Sequence, residues 1–319
     1  MRSITGSADG DGLLYKDFAG VLSAAVSNPG RVVVPCANNL EALEAVSQAI
    51  AAGILIGGIL VGQVKEIKEV ANEAGLKLEQ FELIEAEDVS TAAAKAVDLI
   101  SEGKGDFLLK GQLMTSDYLK AVLKHPGMVP EGNLLSHASV MQIPSYHKFL
   151  TITDVGVNIA PTVEEKKKIV MNTVRVCQKL GIRKPKVAMQ AAVEKVNPKM
   201  QSTVEAVQVR DELRAEHPDE LIIEGPYDVF ISISKHAAAE KGVTGEVCGD
   251  ADILVFHDIN AGNAVYKVFA AFVPDYLNAA LVIGAKIPLI LPSRADSVST
   301  NLLSIALAAL LMMKSEGER

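Results

Sequence analysis

The chain has 319 residues, 49% of them hydrophobic and 22% charged, which is typical of a globular protein long enough for two domains. Its formal net charge of −8 comes without a dense Lys/Arg cluster, so no nucleic-acid partner is expected. Residues 1–12 do not resemble a signal peptide, and the longest strongly apolar stretch (302–313) is too short to span a bilayer, so no membrane association is expected.

Short β-branched runs alternate along the chain with longer amphipathic segments, a pattern typical of βαβ units and a parallel sheet. Strands are predicted at 31–35, 54–61, 107–109, 149–153, 186–189, 221–223, 253–256 and 287–291. Helices are predicted at 40–52 and at 161–180, which Pro161 opens and Gly181 ends. A last helix, 302–313, is apolar on nearly every face, so we expect it to be buried in a core or an oligomer interface.

The proline- and glycine-rich stretch 125–133 suits a domain junction or a cleft loop. We therefore expect an α/β protein of two α/β/α lobes with a cleft between them. The first lobe would comprise residues 1–140 and 297–319, because the C-terminal helix is needed to cover its sheet. The second lobe would comprise residues 141–296 and carry much of the site.

Three widely separated cysteines (Cys36, Cys177 and Cys248) favour a reducing cytoplasm and no disulfide framework. No cysteine or histidine has the spacing of a metal site. A P-loop, a dinucleotide fingerprint and a G-x-S-x-G elbow are also missing. Among the six histidines, only His137 and His257 suggest a role by their position.

The stretch 249–267 is the most informative part of the chain. Its pattern predicts a buried strand, a polar loop and a helix start. In open α/β sheets, ligands bind at the carboxyl ends of the strands. A helix start at Gly262 and Asn263, followed by Tyr266 and Lys267, suits an anion such as phosphate. Alternatively, Asn263 only caps the helix and Lys267 is solvated.

Two further motifs follow predicted strands in the first half of the chain. In K-G-Q-L-M-T-S (110–116), Thr115 or Ser116 either caps the next helix or faces an anion. In T-D-V-G-V-N (153–158), Asp154 acts as a base, orients a ligand or caps the helix region of Pro161.

Two more motifs follow strands in the second half. In A-V-E-K-V-N-P-K-M (192–200), Glu194 and Asn197 either contact substrate or belong to an ordinary polar loop. In S-R-A-D-S (293–297), Ser293 and Arg294 suit a phosphate or acyl-phosphate dianion. Asp296 either pairs with that arginine or accepts a proton. Five motifs at strand ends together favour a shared anion-binding cleft.

These motifs resemble those of the phosphate acetyl/butyryltransferase family, most closely its butyryltransferase branch, over nearly the whole chain. The segments that carry the resemblance are K-G-Q-L-M-T (110–115), L-L-S-H-A-S-V (134–140), T-D-V-G-V-N-I-A-P (153–161), L-G-I-R-K-P-K-V-A (180–188), E-K-V-N-P-K-M (194–200), E-G-P-Y-D (224–228), G-D-A-D-I-L through A-G-N-A-V-Y-K (249–267) and P-S-R-A-D-S (292–297).

The resemblance implies a fold of the isocitrate/isopropylmalate dehydrogenase-like class and a homo-oligomer, a dimer or larger. It implies an enzyme that moves a short acyl group, butyryl by its branch, reversibly between coenzyme A and inorganic phosphate. The thiol would attack the acyl phosphate directly in a ternary complex. Coenzyme A is then a substrate, the other partners are phosphate and acyl phosphate, and no permanently bound cofactor or metal is expected.

The resemblance also implies roles for individual residues. Ser293 and Arg294 match the pair that holds the phosphoryl end and steadies the transition state, and Asp296 completes the expected catalytic group. Thr115 matches a strand-end hydroxyl across the cleft. The residues expected to bind substrate are Lys110, Thr115, Thr153, Asp154, Asn263, Tyr266 and Lys267.

Two positions depart from the family pattern. The acetyl-specific branch carries an aspartate, proposed as the base for the thiol, where this chain has Thr300; Asp296 fits the butyryl-type pattern instead, and its action as a base stays open. A glycine–proline motif would place an aspartate where the chain has Phe230, and Asp228 lies two residues earlier.

Other functions compete with this interpretation. The nearest alternative is a phosphate acetyltransferase. A metal- and NAD-dependent hydroxy-acid dehydrogenase would need converging carboxylates; Asp250, Asp252 and Asp258 cluster in sequence, but strand alternation places Asp252 inside the sheet. A binding protein without turnover is disfavoured by the intact Ser293–Arg294 pair. Acyl-chain length, oligomeric state, the general base and the direction of flux are left open by the sequence.

Overall fold

The computed structural model describes residues 15–291 and 297–313. The strands in this part of the chain are β1 Gly30–Pro35, β2 Leu55–Gly62, β3 Phe81–Glu85, β4 Phe107–Leu109, β5 Ser136–Gln142, β6 Phe149–Thr153, β7 Lys186–Gln190, β8 Ile222–Tyr227, β9 Ile253–Val255, β10 Leu277–Ile283 and β11 Leu289–Ile290. The helices are α1 Phe18–Ala25, α2 Leu40–Ala51, α3 Val64–Glu73, α4 Val89–Ser101, α5 Thr115–Lys124, α6 Val163–Lys179, α7 Gln201–Glu216, α8 Val229–Ile233, α9 Lys235–Glu240, α10 Ile259–Phe272 and α11 Val298–Met312, with a 3₁₀ turn at Leu78–Gln80. The protein is therefore a mixed α/β fold.

The chain divides into two compact units, the first comprising Ala19–Leu135 and the described residues from Asn278 onward. Its strand order is β3-β2-β1-β4-β11-β10. β1 pairs in parallel with β2 and β4, β4 pairs in parallel with β11, and β10 runs antiparallel to β11. Helix α11 packs against α2 in this unit, and its side chains are buried from Leu303 to Leu310, as its apolar sequence predicts.

The second unit comprises Ser136–Leu277 and the described residues up to Phe18, with the strand order β5-β6-β9-β7-β8. All neighbouring strands in it are parallel except β5 and β6, which are antiparallel. Alternate residues of β9 face opposite sides: Ile253 and Val255 pack in the core that α6 and α7 cover, whereas Leu254 packs in the core that α10 covers. Because successive side chains of a strand point to opposite faces, helices cover both sides of this sheet.

These units differ from the expected lobes at their boundaries. Residues 278–291 belong to the first unit, because β10 pairs with β11 and β11 pairs with β4. Residues 136–140 belong to the second unit, because β5 pairs with β6. The proline- and glycine-rich stretch 125–133 lies just before the boundary at Leu135 and Ser136.

All eight predicted strands are present, but β3, β5 and β10 were not predicted. β5 was concealed by its polar residues, since Ser136, His137 and Ser139 are buried, although serine usually lies at the surface and histidine is intermediate. β3 carries two glutamates and lies at the end of the strand order. β10 contains Asn278 and two alanines, which are depleted in strands.

Helix α6 is capped differently from the prediction. Its N-cap is Thr162, which forms a capping box with Glu165, so Pro161 precedes the cap and does not occupy the first turn. Gly181 has a positive φ of 93° directly after the C-cap Leu180, which confirms it as the end of the helix. Within the described parts of the chain, no helix is both long and apolar enough to cross a membrane.

Candidate active site

Three segments of the second unit meet at one edge of its sheet. Thr153, the last residue of β6, pairs with Val255, the last residue of β9, so both parallel strands end at this edge. β5 runs antiparallel to β6 and therefore begins there, with Ser136 and His137. The edge is thus the carboxyl edge of parallel strands, where open α/β sheets bind ligands.

Helix α10 starts earlier than predicted. Its N-cap is Asp258, whose Oδ1 accepts hydrogen bonds from the backbone nitrogens of Asn260 (2.8 Å) and Ala261 (3.0 Å). A carboxylate at this position also interacts favourably with the positive end of the helix dipole. The expected helix start at Gly262 and Asn263 is therefore wrong, and so is a capping role for that asparagine, since both residues lie inside the helix.

The loop 153–158 and α10 are in direct contact. Asn263 donates from Nδ2 to the backbone carbonyl of Val155 at 2.8 Å. A Cβ atom on Gly262 would lie 2.4 Å from the backbone oxygen of Asp154, a distance that real contacts do not reach. The glycine is needed because only a residue without a side chain lets the helix approach the loop so closely. The motifs at 153–158 and 261–267 are thus packed against each other.

Asp154 is buried, with 3% of its surface exposed, and its carboxylate organises its own loop. It accepts hydrogen bonds from the backbone nitrogens of Gly156 (2.8 Å), Val157 (3.0 Å) and Asn158 (3.2 Å), and from Nδ2 of Asn158 (2.5 Å). The alternative in which Asp154 caps the helix region of Pro161 is wrong, since α6 is capped by its own threonine. These bonds hold the loop in a turn that presents backbone groups at the sheet edge.

The other substrate-binding candidates of this unit differ in exposure. Thr153 is fully buried, and its hydroxyl donates to the backbone oxygen of His137 at 2.7 Å. Tyr266 is also buried, with its ring edge-on to the His137 ring at 6.4 Å between centroids. Lys267 is exposed on α10. In the sequence, only the position of His137 indicates a role, because the residues that contact it are distant along the chain.

In the first unit, the motif at 110–116 packs against the end of β1. Lys110 is buried, its backbone nitrogen donates to Ile290, and its Nζ donates to the backbone oxygens of Gly111 (3.2 Å) and Leu113 (3.1 Å). A Cβ atom on Gly111 would lie 2.2 Å from the backbone oxygen of Cys36, so this close approach to the end of β1 requires glycine. The motif therefore holds a buried ammonium group at the end of β4.

Thr115 is the first residue of α5, after the N-cap Met114, which makes no side-chain capping bond. Neither Thr115 nor Ser116 is the capping residue, so this alternative for the motif is wrong. Among the described residues, no hydrogen-bond partner is found for the Thr115 hydroxyl. A hydroxyl and helix amides at a helix N-terminus are suited to bind an anion.

The predicted catalytic residues Ser293, Arg294 and Asp296 lie outside the described residues, so their roles stay predictions. The strand that leads to them is described: Ile290 of β11 pairs in parallel with Leu109 of β4. Because parallel neighbours end at the same edge of a sheet, β11 ends beside Lys110, the residue that follows Leu109.

The other residues named from the sequence form ion pairs or cap a helix. Asp250 and Asp252 precede β9 and form ion pairs with Lys148, whereas Asp258 follows the strand and caps α10. The three aspartates therefore do not converge, as the dehydrogenase alternative would require. His257 pairs with Glu205, Nδ1 to Oε2 at 3.5 Å.

In the 192–200 loop, Glu194 lies 3.6 Å from Nζ of Lys241, and Asn197 accepts a bond from the backbone of Lys199. These contacts fit a polar loop, the alternative that the sequence left open. Among the described residues, no group of His, Cys, Asp or Glu could hold a metal ion.

The cysteines are electrostatically unsuited to nucleophilic catalysis. Burial, aided by the charge of Asp88, raises the pKa of the Cys36 thiol to about 11, although Lys110 acts to lower it. Burial likewise raises the pKa of Cys177 to about 12 and also raises that of Cys248. Because the thiolate is the reactive form, these thiols are not poised for attack near neutral pH.

Comparison with known proteins identifies the family. The model of the phosphate acetyl/butaryl transferase family matches residues 86–309, and the chain belongs to this family. It is therefore a phosphate acyltransferase. It is 39% identical over 281 residues to a phosphate butyryltransferase of Clostridium acetobutylicum, covering 88% of this chain and 93% of the relative. It is 36% identical over 256 residues to a phosphate acetyltransferase of Rhizobium meliloti, covering 80% and 81%.

Solved structures support the same grouping. A branched-chain phosphotransacylase from Enterococcus faecalis V583 superposes with a TM-score of 0.77 at 30% identity, over 89% of this chain and 100% of the other. A 4-hydroxythreonine-4-phosphate dehydrogenase from Burkholderia phymatum superposes with a TM-score of 0.54 at 13% identity, over 90% and 99%. The second likeness concerns the fold alone.

Proposed function

We propose that the protein transfers a four-carbon acyl group, with butyryl as the preferred one, reversibly between coenzyme A and inorganic phosphate. The observation that carries this proposal is the contact between two family motifs, in which Gly262 and Asn263 pack onto the backbone of the 153–158 loop. The butyryl preference is supported by the butyryltransferase relative at 39% identity and the branched-chain phosphotransacylase structure.

In the proposed reaction, the sulfur of coenzyme A attacks the carbonyl carbon of the acyl phosphate. A carbon–sulfur bond forms, the bond between the carbonyl carbon and the bridging oxygen breaks, and phosphate leaves. The thiol proton passes to a base, with Asp296 as the candidate, and then to the departing phosphate. Binding all reactants in one ternary complex removes much of the entropic cost of bringing them together.

The two residues assigned to the transition state are Ser293 and Arg294. Negative charge develops on the carbonyl oxygen as the tetrahedral intermediate forms, and aimed donors stabilise such charge. A guanidinium adds bidentate recognition of the phosphoryl oxygens. No covalent enzyme intermediate is needed, and the raised pKa values of the buried Cys36 and Cys177 thiols are consistent with direct transfer.

The substrate-binding candidates take two kinds of role. Tyr266 and Lys267, one turn beyond Asn263, contact the acyl phosphate, and Lys110 and Thr115 provide a cation and a hydroxyl for anionic groups. Thr153 and Asp154 act mainly by shaping the loop, because their side chains bond to their own surroundings.

We further propose that the two units are the two lobes of an isocitrate/isopropylmalate dehydrogenase-like fold, which the dehydrogenase likeness supports at the level of the fold. Coenzyme A acts as a substrate, and no permanently bound cofactor takes part. The enzyme works in the cytoplasm as a homo-oligomer. Static light scattering of the purified protein tests the assembly.

Initial rates of thioester formation from coenzyme A with acetyl, butyryl and isobutyryl phosphate test the proposed reaction. We expect turnover with a preference for the four-carbon donors. An acetyl preference would keep the family and overturn the butyryl assignment. Binding of coenzyme A without turnover of any donor would contradict catalysis and favour a binding protein.

A further inference from the structure

We propose that His137 is a positioning residue that holds Tyr266 and the Gly156 part of the 153–158 loop in place for the acyl phosphate. This inference rests on the proposed function, because it concerns the same site. In this role, His137 does not contact the reacting atoms.

The first step is the ring contact. His137 and Tyr266 are each 7% exposed, and their rings meet edge to face, with centroids 6.4 Å apart and planes at 67°. Aromatic pairs favour this arrangement, and such a contact restricts the direction in which each ring can point. The orientation of the Tyr266 ring, and hence of its hydroxyl, therefore depends on the neighbouring imidazole.

The second step is the contact with the loop. The β5–β6 register pairs Ser139 with Ile152, and continuing this antiparallel register places His137 opposite Asp154. A Cβ atom on Gly156 would lie 3.3 Å from Cδ2 of His137, so the imidazole fills the space beside this glycine. One side chain thus contacts both the loop and α10.

The third step is the anchoring of His137 itself. Its backbone oxygen accepts the hydrogen bond of the Thr153 hydroxyl at 2.7 Å. On the other face of the same strand, Ser136 accepts a bond from Nδ2 of Asn172 on α6 at 3.1 Å. The strand that carries the imidazole is therefore held by β6 through Thr153 and by α6 through Asn172, as a supporting residue requires.

The role can be tested by a double-mutant cycle with His137→Ala and Tyr266→Ala, using butyryl phosphate and coenzyme A. A displacement of about 1 Å at a reacting group can cost on the order of 100-fold in rate, so we expect His137→Ala to lower kcat/KM by roughly 10- to 100-fold. If the imidazole acts through the tyrosine, it should cost little more in the Tyr266→Ala background. His137→Phe, which retains a ring at this position, should recover most of the loss.

The exposed His236 on α9 provides the matched control, and His236→Ala should keep wild-type rates. Thermal unfolding of every variant shows whether it is folded. Additive effects in the cycle would overturn the action of His137 through Tyr266. A folded His137→Phe that is as inactive as His137→Ala would overturn the positioning role, because it would place a ring nitrogen in the chemistry. An inactive wild-type protein would instead contradict the proposed function, so the two failures are distinguishable.

Discussion

Asn263 and Val155 are joined by a 2.8 Å hydrogen bond from the side-chain Nδ2 to the backbone oxygen, although they are 108 residues apart in the chain. The bond links the second turn of α10 to the loop that follows β6. Because the neighbouring Gly262 allows this close approach, the two motifs lie next to each other in the second unit.

Asn263→Ala removes the amide that reaches the loop and leaves the Val155 carbonyl without this donor. We expect kcat/KM for the acyl phosphate to fall by roughly 100-fold, since the loop and the helix lose their alignment. Stability should fall by about 1 kcal/mol for the lost hydrogen bond. The exposed Asn260, in the first turn of the same helix, serves as the control, and Asn260→Ala should leave both quantities unchanged. Equal rates for the two variants would contradict the assigned role.

Gly262→Ala tests the close approach directly. Its Cβ would lie 2.4 Å from the backbone oxygen of Asp154, so the helix or the loop must move. We expect a loss of about 1–3 kcal/mol in the free energy of unfolding, measured with urea, and a lower rate. Ala261→Ser adds one atom at the exposed neighbouring position and should be nearly neutral. A wild-type stability of Gly262→Ala would show that the contact is looser than described.

Arg294→Lys keeps the positive charge but loses the bidentate fork of the guanidinium. If this residue stabilises the transition state, kcat should fall by about 100-fold while coenzyme A binding, measured by calorimetry, is retained. The exposed Arg183 offers a matched replacement, Arg183→Lys, for which we expect no change. Turnover of Arg294→Lys at the wild-type rate would refute the role assigned to this arginine.

The ion pairs before β9 should make stability depend on pH. Burial acts to raise the pKa of Asp250, but hydrogen bonds from Lys186, Lys148 and His147 outweigh it and hold this pKa well below its usual range. A carboxyl whose pKa is lower in the folded state stabilises the protein above its unfolded pKa of about 3.9, and this contribution is lost as the pH falls below that value. Burial raises the pKa of the neighbouring Asp252, so the titration of this second carboxyl changes the stability with pH in the opposite sense.

Comparing the wild type with Asp250→Asn isolates the contribution of this carboxyl. We expect the variant to be less stable at pH 7 by on the order of 2 kcal/mol, with the difference shrinking between about pH 4 and pH 2. Urea unfolding at several pH values gives the curve, and the exposed Asp219→Asn is the control. A difference that stays constant down to pH 2 would mean that the Asp250 carboxyl does not titrate as described.

The thiols should be unreactive in the folded protein. Cys36, Cys177 and Cys248 are buried, with 7%, 0% and 9% of their surfaces exposed, and burial raises the pKa of each. Ellman's reagent at pH 8 should therefore modify all three only after denaturation. Ala94→Cys, at an exposed position of α4, provides a thiol that should react at once. Rapid native modification of Cys36 would contradict its described burial.

Local patterns predicted the elements well where hydrophobicity was periodic. The aliphatic strands β1, β2 and β9 and the helices α2 and α6 lie within a few residues of their expected positions. β5 was missed because its buried serines and histidine carry no hydrophobic signal. The helix starts before Gly262 because Asp258, which caps as well as an asparagine does and also carries a charge that suits the helix dipole, lies one turn earlier.

The sequence by itself determined the α/β alternation, the strand-end positions of the candidate motifs and the resemblance to the phosphate acyltransferases, because periodicity and motif spacing are local properties. Only the tertiary structure decided that His137, Gly156 and Tyr266 are in contact, that Gly262 packs on the Asp154 backbone, and that the Asp154 carboxylate holds its own loop. These contacts depend on the order and register of the strands, which bring together segments whose separation along the chain carries no local signal.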